Sequence, residues 1–387
     1  MYRDTRVGVV VPAYNESDLV ATVVETMPEF VDRVYVVDDS STDDTWQHVQ
    51  RAAERANRRA RQEQEEAENE KEDDDAAESA ETDEREQARE PAKADGGEQT
   101  AGLRASSEPR SDGGVGVEER VVPIRHEENR GVGGAVTTGY SRALDDDVDV
   151  IAVMNGDAQM DPDELPRLLD PIVAGEAEYA KGNRLLEADF REGMTNWRLL
   201  GNWSLTFLTK VASGYWKTMD PQNGYTAISA DALETLGPED FYQDYGFCND
   251  VLVKLNAHGY TVADVPMAAV YGDETSSIEY SSFIPKLSSL LVNRFVWRLH
   301  TKYLVRDFHP LALFYLFGVA SMAVGGVAGL AALVSGSEDA GEDGNAVGSP
   351  QTRGIAALVL LPVGCLALLT AMTLDMRANR DKEVRAE

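Results

Sequence analysis

The chain has 387 residues, of which 68 are Asp or Glu and only 36 are Lys or Arg, for a formal net charge of −32. That length allows one large domain with appendages, and so acidic a balance excludes nucleic acid as a partner, because a phosphate backbone demands a basic surface. Cys248 and Cys365 are the only cysteines, and their spacing fits neither a zinc site nor a disulfide framework.

From the N-terminus, MYRDTRVGVVVPAY runs straight into a strand without a charged-then-apolar leader, so the soluble part is expected in the cytoplasm. Val7 to Val11 is a β-branched run stopped by Pro12, the pattern of a parallel strand buried on both faces. Asn15, Glu16, Ser17 and Asp18 then offer helix-start residues before the apolar positions of Leu19 to Met27. Val34 to Val37 is the next strand, and Asp38 and Asp39 follow at its carboxyl end, where open α/β sheets bind ligands. The same two acids serve equally well as helix caps. Residues 57–116 contain almost no large apolar side chain, and burial there cannot offset the entropy of ordering. A disordered acidic insertion is expected, with some helix near its start.

Val121 to Ile124 resumes the fold as a third strand, followed by Asn129-Arg130-Gly131-Val132-Gly133-Gly134. These glycines admit close backbone approach, either of a diphosphate at the helix N-terminus or of a neighbouring element. Val148 to Met154 is a short apolar strand that stops in a cluster of oxygen donors, NGDAQMDPDE. If the backbone stays extended, Asn155, Asp157 and Gln159 share one side, a hard-oxygen set suited to Mg²⁺ or Mn²⁺. The rival is a polar loop that caps the helix opened by Asp161 and Pro162. Tyr179 to Arg184 is a strand whose Lys181 and Arg184 suit phosphate oxygens in a chain short of cations. Asp250 stands at the start of an amphipathic helix, where it can serve as a helix cap, and Tyr260 to Tyr271 reads as the last strand and a turn.

Leu311 to Ser335 and Gly354 to Leu374 lack any charge and exceed the roughly twenty residues that span a bilayer. Before them, Arg294, Arg298, Lys302 and Arg306 recur every four residues beside the apolar stripe Leu287, Leu291, Phe295 and Leu299, as in a helix lying on an anionic membrane surface. Basic residues flank the pair of spans and the loop between them is acidic, which puts both chain ends in the cytoplasm.

Taken together, VGVVVPAYNESD, VYVVDDSSTDDT, NRGVGGAVTTGY, NGDAQMDP, KGNR and DPQNGYTAIS resemble the family 2 glycosyltransferases of the GT-A fold, and within them the polyprenyl-phosphate (dolichyl-phosphate) sugar synthases. The resemblance covers Val7 to Asp307 apart from the insertion. It implies an α/β, Rossmann-like domain with a mostly parallel sheet, followed by two transmembrane helices. The catalytic domain would comprise 1–56 and 117–275, then a juxtamembrane segment 276–310, spans 311–335 and 354–374 joined by an external loop 336–353, and a cytoplasmic tail 375–387. The donor would be a UDP- or GDP-linked sugar and the acceptor a polyprenyl or dolichyl phosphate. Pro12, Tyr14, Glu16, Asp38, Asp39, Gly133, Asn155 and Asp157 would contact the nucleotide sugar. Asp157 and Gln159 would hold Mg²⁺ or Mn²⁺, with Asn155 standing where relatives commonly carry the first acid of Asp-x-Asp-x-Gln. Asp157, Arg184 and Asp250 would carry the catalysis, and Lys181, Arg184, Arg294, Arg298 and Lys302 would receive the lipid phosphate. The acidic balance also resembles that of proteins from halophiles. Two rivals stand beside this reading: a processive polysaccharide synthase, disfavoured by a poor match at Asn293 to Arg298, and a noncatalytic nucleotide-binding membrane subunit, favoured by Asn155.

Overall fold

The computed structural model describes residues 1–87, 119–184, 196–268, 280–335 and 349–385. Eight strands form one sheet in the order β3-β2-β1-β4-β6-β5-β7-β8. They are β1 (Val7–Ala13), β2 (Arg33–Asp38), β3 (Val121–Arg125), β4 (Val150–Val153), β5 (Tyr179–Asn183), β6 (Thr226–Ser229), β7 (Val262–Pro266) and β8 (Glu383–Arg385). All neighbours run parallel except β6, which is antiparallel to both β4 and β5.

The β-branched runs are central strands because both faces are covered. Val7, Val9 and Val11 of β1 face a core shared with helices α1 (Val20–Glu25), α2 (Thr45–Gln87) and α4 (Leu165–Val173). Val10 and β2 residues Tyr35 and Val37 face the opposite core, under α3 (Val132–Asp145), α6 (Ala230–Leu236) and α7 (Phe247–His258). Successive side chains of one strand thus feed opposite layers, as the pleat requires. Helix α5 is Asn196–Ser213.

Two expectations change. The domain boundary at residue 57 falls inside the fold: α2 continues to Gln87, and the side chain of buried Asn57 brackets β3, donating to the Val121 carbonyl at 2.9 Å and accepting from its N–H at 2.7 Å. Ala, Glu, Arg and Gln are strong helix formers, and an Arg59–Glu63 pair at 2.7 Å supports the continuation, so low hydrophobicity did not mean loss of helix. Residues 88–116 of the expected insertion lie outside the described residues. The strand expected within Tyr260 to Tyr271 is Val262–Pro266, and residues 269–271 lie outside the described residues. Finally, the expected tail 375–387 is no free appendage, because β8 pairs with β7 in register Val262 to Glu383 and completes the sheet.

Helix α8 (Tyr280–Arg298) continues as a π-helical stretch, Leu299–Arg306, and leads into α9 (Leu311–Ser335) and α10 (Pro350–Ala378). The stretches Leu311–Val334 and Gln351–Ala378 are long and apolar enough to cross a membrane. They pack antiparallel through small residues: a Cβ on Gly318 would lie 2.8 Å from Leu368, and one on Gly364 would lie 2.9 Å from the Gly318 carbonyl. Such close approach is how apolar helices associate where no hydrophobic driving force separates them from lipid.

Candidate active site

The carboxyl ends of β1, β2 and β4 lie side by side. The Asp39 N–H donates to the Ala13 carbonyl at 2.9 Å, and the Gly156 N–H donates to the Pro12 carbonyl at 3.1 Å. A Cβ on Gly156 would come within 3.2 Å of both Ala13 Cβ and Pro12 O, so glycine lets the β4 exit press on β1. Beyond it the chain turns at Ala158, with φ 54°, instead of continuing extended. Asn155, Asp157 and Gln159 still line one cleft, which is completed by Arg184, Gln222 and Asn223. The Gln159 N–H donates to Asp157 Oδ1 at 3.1 Å. Burial pushes the Asp157 carboxyl above the usual carboxylate range, and a positive charge placed beside it would oppose that push.

The opposite wall depends on Asp220, which adopts φ 49°. Its carboxylate accepts from Arg184 Nε at 2.7 Å and Nη2 at 3.1 Å, and from the Arg184 N–H at 3.2 Å. Burial raises the Asp220 pKa, but the guanidinium outweighs it and holds the carboxyl below its ordinary value. This fork fixes Arg184 at the cleft with its charge in place. Tyr225 closes the floor, its hydroxyl donating to the Asp161 carbonyl at 2.9 Å. Asp161 also caps the short helix that follows, accepting from the Asp163 N–H at 3.0 Å.

Several other expected site residues are engaged within the fold. Lys181 is buried under the cleft, paired with Asp264 at 3.1 Å and donating to the Gly182 and Met219 carbonyls, so it braces two strands and does not face an acceptor. The Asp39 carboxylate is taken up by the Arg130 and Gly131 N–H groups, both at 2.8 Å, and by His126 at 2.7 Å. It ties β2 to the glycine segment. Asp38 is fully buried and paired with Arg125 at 3.2 Å. Gly133 is a packing position: a Cβ there would lie 2.2 Å from the Tyr242 carbonyl, and the neighbouring Gly134 N–H donates to the Gln243 carbonyl at 3.0 Å. These contacts are the close approach to a neighbouring element expected as one alternative for this run. Pro12 is buried in β1, Tyr14 is exposed at the β1 exit, and half-buried Glu16 donates its N–H to Thr45 at 2.8 Å.

Asp250 does not open to the cleft. Its side chain is fully buried, accepts from the Tyr242 N–H at 2.8 Å, and meets Arg294. The Arg294 Nε approach of 2.6 Å is an ion pair out of line for a hydrogen bond, which runs from Nη2 to Oδ2 at 3.3 Å. Burial pushes the Asp250 pKa up against the pull of Arg294. Two residues of the expected surface stripe are likewise turned inward: Arg298 is fully buried against Asp375 at 2.9 and 3.0 Å, and Lys302 donates to Asn256 at 2.9 Å and Asn379 at 2.6 Å, while Arg306 is exposed. With four-residue spacing the stripe drifts around the helix, and the C-terminal segment supplies polar partners that no local pattern announces.

Asp157 and Gln159 are hard oxygen donors at the cleft, but among the described residues no three His, Cys, Asp or Glu side chains gather into a metal-holding group. The donor set fits a divalent cation that arrives with a ligand supplying further oxygens.

A doubly covered, mostly parallel sheet with one reversed strand, opening its carboxyl edge onto an Asn-x-Asp-x-Gln turn, defines a GT-A-like α/β fold. Residues 8–65 and 113–237 match the model of Glycosyl transferase family 2. Over 152 residues it is 31% identical to the UDP-N-acetylglucosamine–dolichyl-phosphate N-acetylglucosaminyltransferase of Methanococcus voltae, covering 39% of this chain and 60% of that protein. Over 157 residues it is 27% identical to the polyprenol monophosphomannose synthase of Mycolicibacterium smegmatis, covering 38% and 56%. The aligned part therefore spans about three-fifths of these relatives. Among solved structures, glucosyl-3-phosphoglycerate synthase from Mycobacterium tuberculosis with uridine diphosphate aligns at a TM-score of 0.45 and 16% identity, covering 76% of this chain and 80% of that one.

Proposed function

We propose that this chain transfers a sugar, with inversion, from a nucleoside diphosphate sugar to a polyprenyl or dolichyl phosphate in the membrane. The observation that carries the reading is a domain matching the family 2 model, whose cleft sets Asp157 opposite a clamped Arg184, on a sheet completed by the chain segment that follows two apolar helices. The difficult step in such a transfer is departure of the diphosphate. Arg184 brings a preorganised positive charge to it, held by Asp220 so that little reorganisation accompanies the reaction. Asp157 and Gln159 would hold Mg²⁺ or Mn²⁺ together with the diphosphate, and the metal would supply Lewis-acid stabilisation of the developing charge. The acceptor phosphate is largely anionic at neutral pH, its second pKa being near 6, and attacks without a strong base. Asp250, buried and ion-paired, is not needed in that role.

The same architecture supports a topology. If both α9 and α10 cross the bilayer, β7 and β8 can pair only when the chain segments before and after the hairpin lie on one side. Basic Arg306, Arg377, Arg380 and Lys382 make that side the cytoplasm. Ile284, Val292 and Val296 of α8 are exposed, suiting contact with lipid.

The test is transfer to radiolabelled polyprenyl and dolichyl phosphates in membranes, with a panel of UDP and GDP sugars and with the divalent metal chelated. Transfer that depends on metal supports the reading. Nucleotide binding by calorimetry with no transfer to any lipid phosphate would make the chain a noncatalytic subunit.

A further inference from the structure

Three consecutive backbone N–H groups converge on one carboxylate that comes from 165 to 167 positions further along the chain. Trp216 donates to Glu383 Oε2 at 3.0 Å, and Lys217 and Thr218 donate to Oε1 at 2.7 and 2.8 Å. The Thr218 hydroxyl adds a fourth donor at 3.1 Å. Glu383 is buried and sits at the first position of β8, directly beside Val262 of β7. Hydrogen bonds from several N–H groups to one ionised carboxylate are short and strong, and here they fix the path of a loop that has no strand or helix of its own.

The path continues into the cleft. Next in sequence, the Met219 N–H donates to Asp264 Oδ2 at 3.3 Å, and the Met219 carbonyl accepts from Lys181. Asp220 then takes its left-handed φ of 49°, a conformation uncommon for a residue with a side chain, and grips Arg184. A backbone held in such a region needs surroundings that over-determine it. Asp264 and Lys181 supply part of that restraint from strands β7 and β5, and Glu383 supplies the rest from β8.

We infer that Glu383 is a positioning residue for sugar transfer: from beyond the second apolar helix, its carboxylate fixes residues 216–218, thereby places Asp220, and so aims Arg184 into the cleft. The inference rests on the role proposed above for Arg184. A cleft side chain misplaced by about 1 Å can cost on the order of a hundredfold in rate. Glu383→Gln keeps size and burial but replaces one acceptor oxygen with an NH₂ group that faces the Trp216 N–H.

The experiment compares full-length wild type, Glu383→Gln, Arg184→Ala and the double variant in membranes or detergent. Two readouts are needed: steady-state transfer, and hydrogen exchange of the peptides covering 214–223 and β1. Glu383→Gln is expected to speed exchange at 214–223 several-fold while β1 stays protected, which separates loss of position from loss of fold. It should lower kcat between about 10- and 100-fold with the sugar-nucleotide KM within about twofold. In the Arg184→Ala background the same substitution should cost less than about twofold, because its effect passes through Arg184. Unchanged exchange at 214–223, or losses that multiply in the double variant, would overturn the inference. Full transfer by Arg184→Ala would instead defeat the proposed role of Arg184, and the exchange readout would still decide whether Glu383 holds the segment.

Discussion

Arg298 separates two accounts of the same basic stripe, and its removal gives a measurable answer. Its guanidinium is fully buried, donates to Asp375 at 3.0 and 2.9 Å, to Asn256 at 3.2 Å and to the Val211 carbonyl at 3.1 Å, and lies where a Cβ on Gly214 would come within 2.1 Å of Nη1. Asp375 also accepts from Tyr303 at 2.6 Å and Asn379 at 2.9 Å. Breaking a buried pair on one side leaves an uncompensated charge and costs about 3–5 kcal/mol. Arg298→Met should fall near the low end, about 3 kcal/mol, because Tyr303, Asn379 and nearby Lys302 still serve the carboxylate. Asp375→Leu should fall near 5 kcal/mol, because it strands the guanidinium. The double variant removes both charges and leaves the Tyr303 hydroxyl short of an acceptor, while the Asn379 amide keeps the Tyr303 hydroxyl and the residue 375 carbonyl, for about 1–3 kcal/mol, far below the sum. Urea unfolding in detergent, followed by tryptophan fluorescence, measures all three. A cost below 1 kcal/mol for Arg298→Met, or additive single effects, would refute the latch, and a raised lipid-acceptor KM at unchanged stability would return Arg298 to the acceptor site.

Asp157→Ala should abolish transfer, while Asn155→Asp should be tolerated or tighten metal binding by adding a second carboxylate; calorimetry with Mn²⁺ and nucleotide, beside the transfer assay, checks both. Gly133→Ala should destabilise the fold by about 1–3 kcal/mol, since the added Cβ meets backbone, with nucleotide affinity unchanged in the molecules that remain folded. Burial, helped by neighbouring Arg298, lowers the Lys302 pKa to about 8. Between there and its ordinary value near 10.4 the unfolded chain binds the extra proton, so stability should rise with pH across that window by on the order of 3 kcal/mol relative to Lys302→Met, and a flat difference would exclude this. Deleting residues 68–112 should leave transfer within a few-fold, because Asn57, which anchors β3, and the Arg59–Glu63 pair within α2 are retained.

The sheet was legible wherever one strand announces itself by composition. Val7 to Val11, Val34 to Val37 and Val150 to Val153 needed only their β-branched runs, and the cleft residues Asn155, Asp157, Gln159 and Arg184 needed only their place at strand ends. What stayed hidden depends on distant pairing. Asp39 and Lys181 have the chemistry of ligand contacts, yet they bond to His126 and Asp264, partners 87 and 83 residues away. An acid inside an apolar strand, as Asp264 is in VADVP, was the signal that a buried cation would be waiting. No comparable signal marked Glu383, which looks like any other acid in a tail of mixed charge, nor the three residues of β8, too short to show alternation.

The position of β8 also sets an order of assembly. A chain made from its N-terminus exposes the free edge of β7 until residues up to Arg385 have been synthesised, after both long apolar helices. An open strand edge invites pairing with other chains, so the period between making β7 and docking β8 is when aggregation threatens most. Delayed insertion of the hairpin would prolong it, and a synthesis that stalls within α10 would yield a domain with an unfinished edge and no partner for Arg298. Quality-control proteases could recognise such a product by its edge alone, without any reading of its active site.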